Sequence, residues 1–152
     1  GGQRSRFVAC QNKAVNEQVG RLNLSKFDRS RLMGGFVSKE QPSNIDDPTI
    51  RSGFYGAPTV VVIFGLKNFL YSVPDAFCAA ENMVLEATNL GISSCILARG
   101  EETFDNPEGE DILRQWNIPD NMVARCFVIL GYVDGPYPSA KPRKDGRYTI
   151  IR

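Results

Sequence analysis

The chain has 152 residues, 42% of them hydrophobic and 23% charged, the size and balance of a single globular domain covering residues 1–152. Lysine and arginine number 18 against 17 for aspartate and glutamate, so no global charge points to nucleic acid or a membrane surface. The longest apolar run, at 60–64 with its flanks, is far below the ~20 residues of a spanning helix; with no signal-peptide pattern, the chain reads as soluble and cytoplasmic.

Histidine is absent, which removes Ser-His and Cys-His catalysis and leaves few ligands for zinc. The four cysteines, Cys10, Cys78, Cys95 and Cys126, have no CxxC spacing and sit in apolar contexts. Buried, reduced thiols are the expectation, with no metal site. An enzyme of this composition takes its reactivity from a cofactor rather than from a catalytic side chain.

The chain opens on Gly-Gly-Gln-Arg-Ser-Arg without a methionine, as expected of a fragment or of a protein whose upstream part is missing. The run Phe7 to Cys10 predicts a buried strand at about 6–11. Asn12 is placed to cap a helix over about 13–23, where Val15, Val19 and Leu22 recur at spacings of four and three. From Ser25 to Gly56, glycines, prolines and Asp/Asn turn chemistry predict a long loop. A loop of that length is either a lid or pocket wall, or a surface excursion. Thr59 to Phe64 is a continuous β-branched and aromatic run, expected as an interior strand buried on both faces.

Residues 72–90 predict the central helix. Ser72 is the expected N-cap, Pro74 lies in the first turn, Asp75 complements the N-terminal dipole, and Gly91 suits the C-terminal stop. Ala76, Ala79, Ala80, Met83, Val84, Ala87 and Leu90 form a wide apolar face that Phe77 and Leu85 extend. A helix this apolar packs either on its own sheet and a second subunit, or wholly inside one small domain. A strand at 92–98, a polar loop at 99–102, a helix at 107–116 with Ile112, Leu113 and Trp116 on one face, and a strand at 122–130 follow. The tail Lys141 to Arg147 is basic and extended, and residues 148–151 are a candidate last strand. Alternating strands and helices predict a layered α/β or α+β domain.

Three stretches resemble the flavin-dependent nitroreductase family. They are DAFCAAENMVLEATNLGISSC at 75–95, the segment from Ile118-Pro119 through Gly131-Tyr132 to Lys141-Pro142-Arg143-Lys144, and QRSRFVACQ at 3–11. The resemblance spans nearly the whole chain and lacks the family's N-terminal helix and Arg-rich motif. It implies an α+β fold, a three-layer α/β/α arrangement with a central mixed sheet. It implies an intertwined homodimer with FMN between the subunits, and NAD(P)H-dependent reduction of nitroaromatics, quinones or related small aromatic acceptors by a ping-pong hydride transfer. A flavin-binding or non-catalytic member of the same fold is the alternative.

The resemblance also implies site residues. Lys141 and Arg143 match the family's phosphate-binding Lys-x-Arg, and alternate residues of an extended segment share a face. Ala98, Arg99 and Gly100 stand where a backbone N–H approaches the flavin ring, with Arg99 able to bring a cation to the ring or the substrate. Gln3 matches a glutamine suited to the pyrimidine edge, since an amide both donates and accepts. Arg51 falls where relatives place a cation near the flavin carbonyls. Tyr55, Phe54 and Phe36 are candidates for an aromatic wall or for core.

Overall fold

The computed structural model describes residues 2–27, 49–136, 139–140 and 142–152. Most of the expected long loop, together with Phe36 and Lys141, lies outside the described residues. In chain order the elements are β1 (Arg6–Cys10), α1 (Lys13–Ser25), β2 (Thr59–Leu66), α2 (Ser72–Asn89), β3 (Ser93–Leu97), α3 (Gly100–Phe104), α4 (Pro107–Gln115) and β4 (Met122–Gly131). Among the described residues no helix is long and apolar enough to cross a membrane.

The strands form one sheet in the order β1-β2-β4-β3. Burial explains the order. The most continuously apolar runs, β2 and β4, take the two interior places, and the shorter β1 and β3, only partly buried, take the edges. Every pairing among these four strands is antiparallel. The parallel partner that a mixed sheet requires is therefore not one of them. Residues 148–151, the candidate last strand, join no strand and stay exposed.

Helices cover both faces, so the layers are α/β/α. On one face Val60, Val62, Phe64 and Phe127 pack against Val19 of α1, Phe104 of α3 and Ile112 of α4. On the other, Val61, Ile63, Cys126 and Val128 pack on Ala76 and Ala80 of α2, whose small side chains let the helix lie close to the sheet. Phe104 joins the first core from a five-residue helix, its ring 6.1 Å from Phe127 and 5.9 Å from Trp116. That helix replaces the polar loop expected after β3, because five residues are too few to carry a periodic signal.

The caps follow the local chemistry with one exception. Asn12 accepts from the Val15 amide and Asn106 from the Gly109 amide. Gly91, at φ +69, follows the Leu90 C-cap of α2. Ser72 is not the N-cap: it is the first residue of α2, Tyr71 is the cap, and the Ser72 hydroxyl instead accepts from Arg125 Nε at 2.9 Å. Arg125 itself is the extra residue of a β-bulge in β4, since Ile63 pairs with Cys126 while the next residue, Phe64, pairs with Ala124.

The cysteine expectation holds only in part. Cys126 is buried, Cys10 is half-buried, and Cys78 and Cys95 are exposed. Cys78 lies on the outward side of α2 and Cys95 on the edge strand β3, where no element covers them. Burial raises the Cys126 thiol to about 11, so it stays protonated at neutral pH. No cluster of metal-ligating residues exists among the described residues.

Candidate functional site

The end of β3 turns sharply into α3. Ala98 is exposed, Arg99 is half-buried and Gly100 is buried. Arg99 makes the turn in the left-handed conformation, φ 65 and ψ 33, without capping α3 through its side chain. A non-glycine residue held there costs about 1 kcal/mol and persists only where its surroundings over-determine it.

Those surroundings are visible. The Arg99 carbonyl accepts from the backbone N–H of Thr103 at 3.0 Å and again from the Thr103 hydroxyl. The guanidinium donates through Nη2 to Asn23 Oδ1 at 3.2 Å and lies over the Phe27 ring, 4.7 Å from its centre. Its Nε is buried without a partner among the described residues. Desolvation pulls the Arg99 pKa below its ordinary value, while Glu102, and the Tyr55 phenol once ionised, act in the opposite direction. Arg99 keeps its charge regardless. Gly100 fits because a side chain would meet the β4 backbone: a Cβ there would lie 2.7 Å from the Ala124 carbonyl carbon.

Tyr55, in the segment before β2, is near enough to Arg99 to act on its charge. It too has a positive φ, 54, and so does Gln3, at 45. Among the described residues, four non-glycines have positive φ, and the fourth is Asn117, a residue type that tolerates it. Three of the four uncommon backbones therefore fall on residues that sequence reasoning singles out. Tyr55 is half exposed, and with Cys95, Ile129 and Tyr132 it lines an open cleft of about 380 Å³ above the edge of the sheet. Phe54 is not part of that wall. It is core, 1% exposed, with its ring 5.0 Å from Phe127.

The remaining candidates are dispersed. Arg51 is exposed beside Glu17 and Thr49, in a depression that Tyr55 also borders. Gln3 stands in front of β1, in a groove shared with Asp75, Cys78 and Asn82 of α2. It is thus on the α2 side of the sheet and at the opposite edge from residues 98–100. Three inter-strand steps of about 4.8 Å put those edges about 14 Å apart. Arg143 is exposed in the irregular tail, and Lys141 lies outside the described residues.

Sequence reasoning missed Asn23, Thr103 and Arg125. Asn23 had a signal: it stands four residues after Val19 on the buried stripe of α1, a polar residue where an apolar one is expected. Thr103 and Arg125 carried none: the Arg125 partners and the Thr103 partner Asn23 are distant in the chain.

No curated protein matches the chain. Among solved structures, a nitroreductase with bound FMN from Bacteroides fragilis is similar over 99% of this chain and 78% of that one, with 29% identity and a TM-score of 0.74. A second with bound FMN, from Desulfitobacterium hafniense, matches over 99% and 77% at 21% identity and a TM-score of 0.71. An oxidised iodotyrosine deiodinase bound to FMN and 3-iodo-L-tyrosine matches over 99% and 76% at 22% identity and a TM-score of 0.58. The last two likenesses show the fold alone. The model of the nitroreductase family matches residues 1–132, the whole strand-and-helix framework described above, and the chain belongs to that family.

Proposed function

We propose that this chain is an FMN-dependent oxidoreductase that uses NAD(P)H to reduce nitroaromatic, quinone or related small aromatic acceptors, and that it works as a homodimer. The observation that carries this reading is the family match over residues 1–132. The FMN in the Bacteroides fragilis relative supports the cofactor.

The residues present fit such a group. An FMN phosphate carries about two negative charges and an isoalloxazine edge carries carbonyl oxygens, so the site must supply donors. Arg99, whose buried Nε has no partner among the described residues, Arg51, Gln3 and Arg143 are all donors, and residues 98–100 add backbone to them. Lys141 and Arg143 hold the phosphate, the 98–100 turn borders the ring, Arg51 faces the ring carbonyls, and Gln3 reads the pyrimidine edge. When bound, FMN supplies hydride chemistry that no side chain here can. The chain's own work is to hold the ring, keep water from one face, and leave room on the other for a nicotinamide donor and then an acceptor, in the alternation of a ping-pong reaction. The open cleft beside Tyr55 and Tyr132 gives a flat acceptor aromatic surfaces to stack on.

Two features support the homodimer. Gln3 and the 98–100 turn stand at opposite edges and on opposite faces of the sheet, which supports a flavin site shared between two subunits. The α2 layer also exposes large apolar side chains, among them Tyr71, Val73, Phe77, Leu85 and Leu90, beside Phe7 of β1. Exposed apolar side chains of this size favour a protein interface on this layer. The four free cysteines suit a reducing compartment, which supports the cytoplasm.

The purified protein should be yellow, hold stoichiometric FMN and be bleached by NADH or NADPH under anaerobic conditions. A colourless protein that takes up no added FMN contradicts the cofactor. A bound flavin that neither nucleotide reduces favours the non-catalytic alternative. Arg143→Ala combined with Lys141→Ala should weaken FMN binding by at least about tenfold, the loss of one charge-assisted hydrogen bond, and unchanged affinity rejects the phosphate assignment. Sedimentation at micromolar concentration should show a dimer, and a monomer there contradicts the subunit arrangement.

A further inference from the structure

We propose that Asn23 is a positioning residue, whose buried amide clamps the 98–103 turn from inside and thereby fixes the backbone that borders the flavin ring. This rests on the flavin reading above and adds to it a residue with no chemistry of its own.

Asn23 is fully buried on α1, beneath the turn. Its Nδ2 donates to the Ala98 carbonyl at 3.1 Å and to Thr103 Oγ1 at 3.0 Å, and its Oδ1 accepts from Arg99 Nη2 at 3.2 Å. The partners fix the orientation of the amide. A carbonyl oxygen needs a donor and a guanidinium needs an acceptor, so the flipped amide would meet repulsion at both. Thr103 continues the chain of bonds by donating its hydroxyl to the Arg99 carbonyl. One side chain thus holds Ala98, Arg99 and Thr103 together.

The segment before β2 closes on the same amide. Gly53 donates its backbone N–H to the Gly20 carbonyl at 2.9 Å, and a Cβ on Gly53 would lie 2.5 Å from Asn23 Oδ1. Asn23 therefore sits where α1, the turn after β3 and the segment leading to Tyr55 meet. Packing alone does not ask for an amide here, because Val19, one turn earlier on the same stripe, serves that contact with an apolar side chain. An apolar residue at 23 would leave the Ala98 carbonyl and Arg99 without their partner. What specifies asparagine is the left-handed turn.

The test has two arms. In flavin-free protein, amide hydrogen exchange across residues 98–104 should quicken by about tenfold or more in Asn23→Ala, with β2 exchanging as in the parent. In FMN-loaded protein, Asn23→Ala and Asn23→Asp should keep the flavin but shift its midpoint potential and its visible absorption band. Asn23→Asp retains the acceptor toward Arg99 and loses both Nδ2 donations, so a shift of the same sign in both variants assigns the effect to the ties to Ala98 and Thr103. Unchanged exchange overturns the clamp. Faster exchange with an unshifted potential and band overturns the positioning role, since a structural residue alone would behave so. A parent that binds no FMN overturns the flavin reading instead, and the exchange arm still reads the clamp. If Asn23→Ala does not fold, the near-isosteric Asn23→Asp is read alone, and unchanged exchange across residues 98–104 in it overturns the clamp.

Discussion

Gly100→Ala should cost about 3 kcal/mol of stability, the upper range for forcing atoms into a packed interior, and should weaken FMN binding with it. The added Cβ would lie 2.7 Å from the Ala124 carbonyl carbon and 2.8 Å from both the Ala124 oxygen and the Arg125 carbonyl carbon. These are backbone atoms of an interior strand. They cannot swing aside as a side-chain tip does, so either β4 or the 98–103 turn has to move. Movement of the turn breaks the bonds that Asn23 and Thr103 make to it. Gly56→Ala is the control. Nothing lies within 4 Å of its Cβ position, and its φ of +73 alone opposes a side chain, at about 1 kcal/mol. Urea denaturation of the two variants with unchanged m-values reads the difference. Equal losses would mean that β4 yields to the turn and that the close approach at Gly100 is not what positions it.

The contrast between these two glycines shows what the sequence conceals. Gly56 is legible, since glycine after an aromatic, in a segment of turn residues, announces a bend. Gly100 follows an arginine and precedes two glutamates, and reads as a loop. Its requirement comes from β4, more than twenty residues later. The same division runs through the fold. β2, β4, α1, α2 and α4 were readable because apolar periodicity is a local property, and the layering followed from their alternation. Strand order, the antiparallel pairings, the bulge at Arg125 and the outward placement of Cys78 and Cys95 depend on contacts between distant segments. The 98–100 turn was readable as the start of a polar loop, and its place beside a flavin only through the family resemblance. Asn23 was visible as an anomaly on an apolar stripe, but its partners were not.

The parts of the candidate site are spread out. Residues 98–100 are held by α1, on the face opposite α2, whereas Gln3 is at the far edge beside α2. Neither placement follows from the needs of a single subunit. Both fit the proposed homodimer, in which Phe77 and Leu85, exposed on α2, would face the partner.

Arg125 carries the second large effect, because it joins that helix to the site. Its side chain is 10% exposed and uses all three nitrogens. Nε donates to Ser72 Oγ at 2.9 Å, Nη2 to the Leu66 and Lys67 carbonyls at 2.9 and 3.1 Å, and Nη1 to Glu101 Oε2 at 2.8 Å. One guanidinium thus ties the end of β2 and the start of α2 to the first turn of α3. Arg125→Ala should cost about 3 kcal/mol, because it leaves two carbonyls and a hydroxyl near the interior without their charged donor. Arg125→Lys should recover less than half of that, since one ammonium cannot span three directions. Glu101→Gln should cost under about 1 kcal/mol, because the carboxylate is 59% exposed and screened by water. Chemical denaturation at low and high salt separates the contributions: the Glu101 share should fade with salt and the carbonyl share should persist. If Glu101→Gln proved as costly as Arg125→Ala, the ion pair rather than the carbonyl bonds would be the anchor. The bulge matters to this outcome. By placing one extra residue opposite the Ile63–Phe64 step, it aims a long cation from an interior strand at the start of α2 while Ala124 and Cys126 stay in their separate cores. A regular strand would have sent either the arginine or its neighbours to the wrong layer.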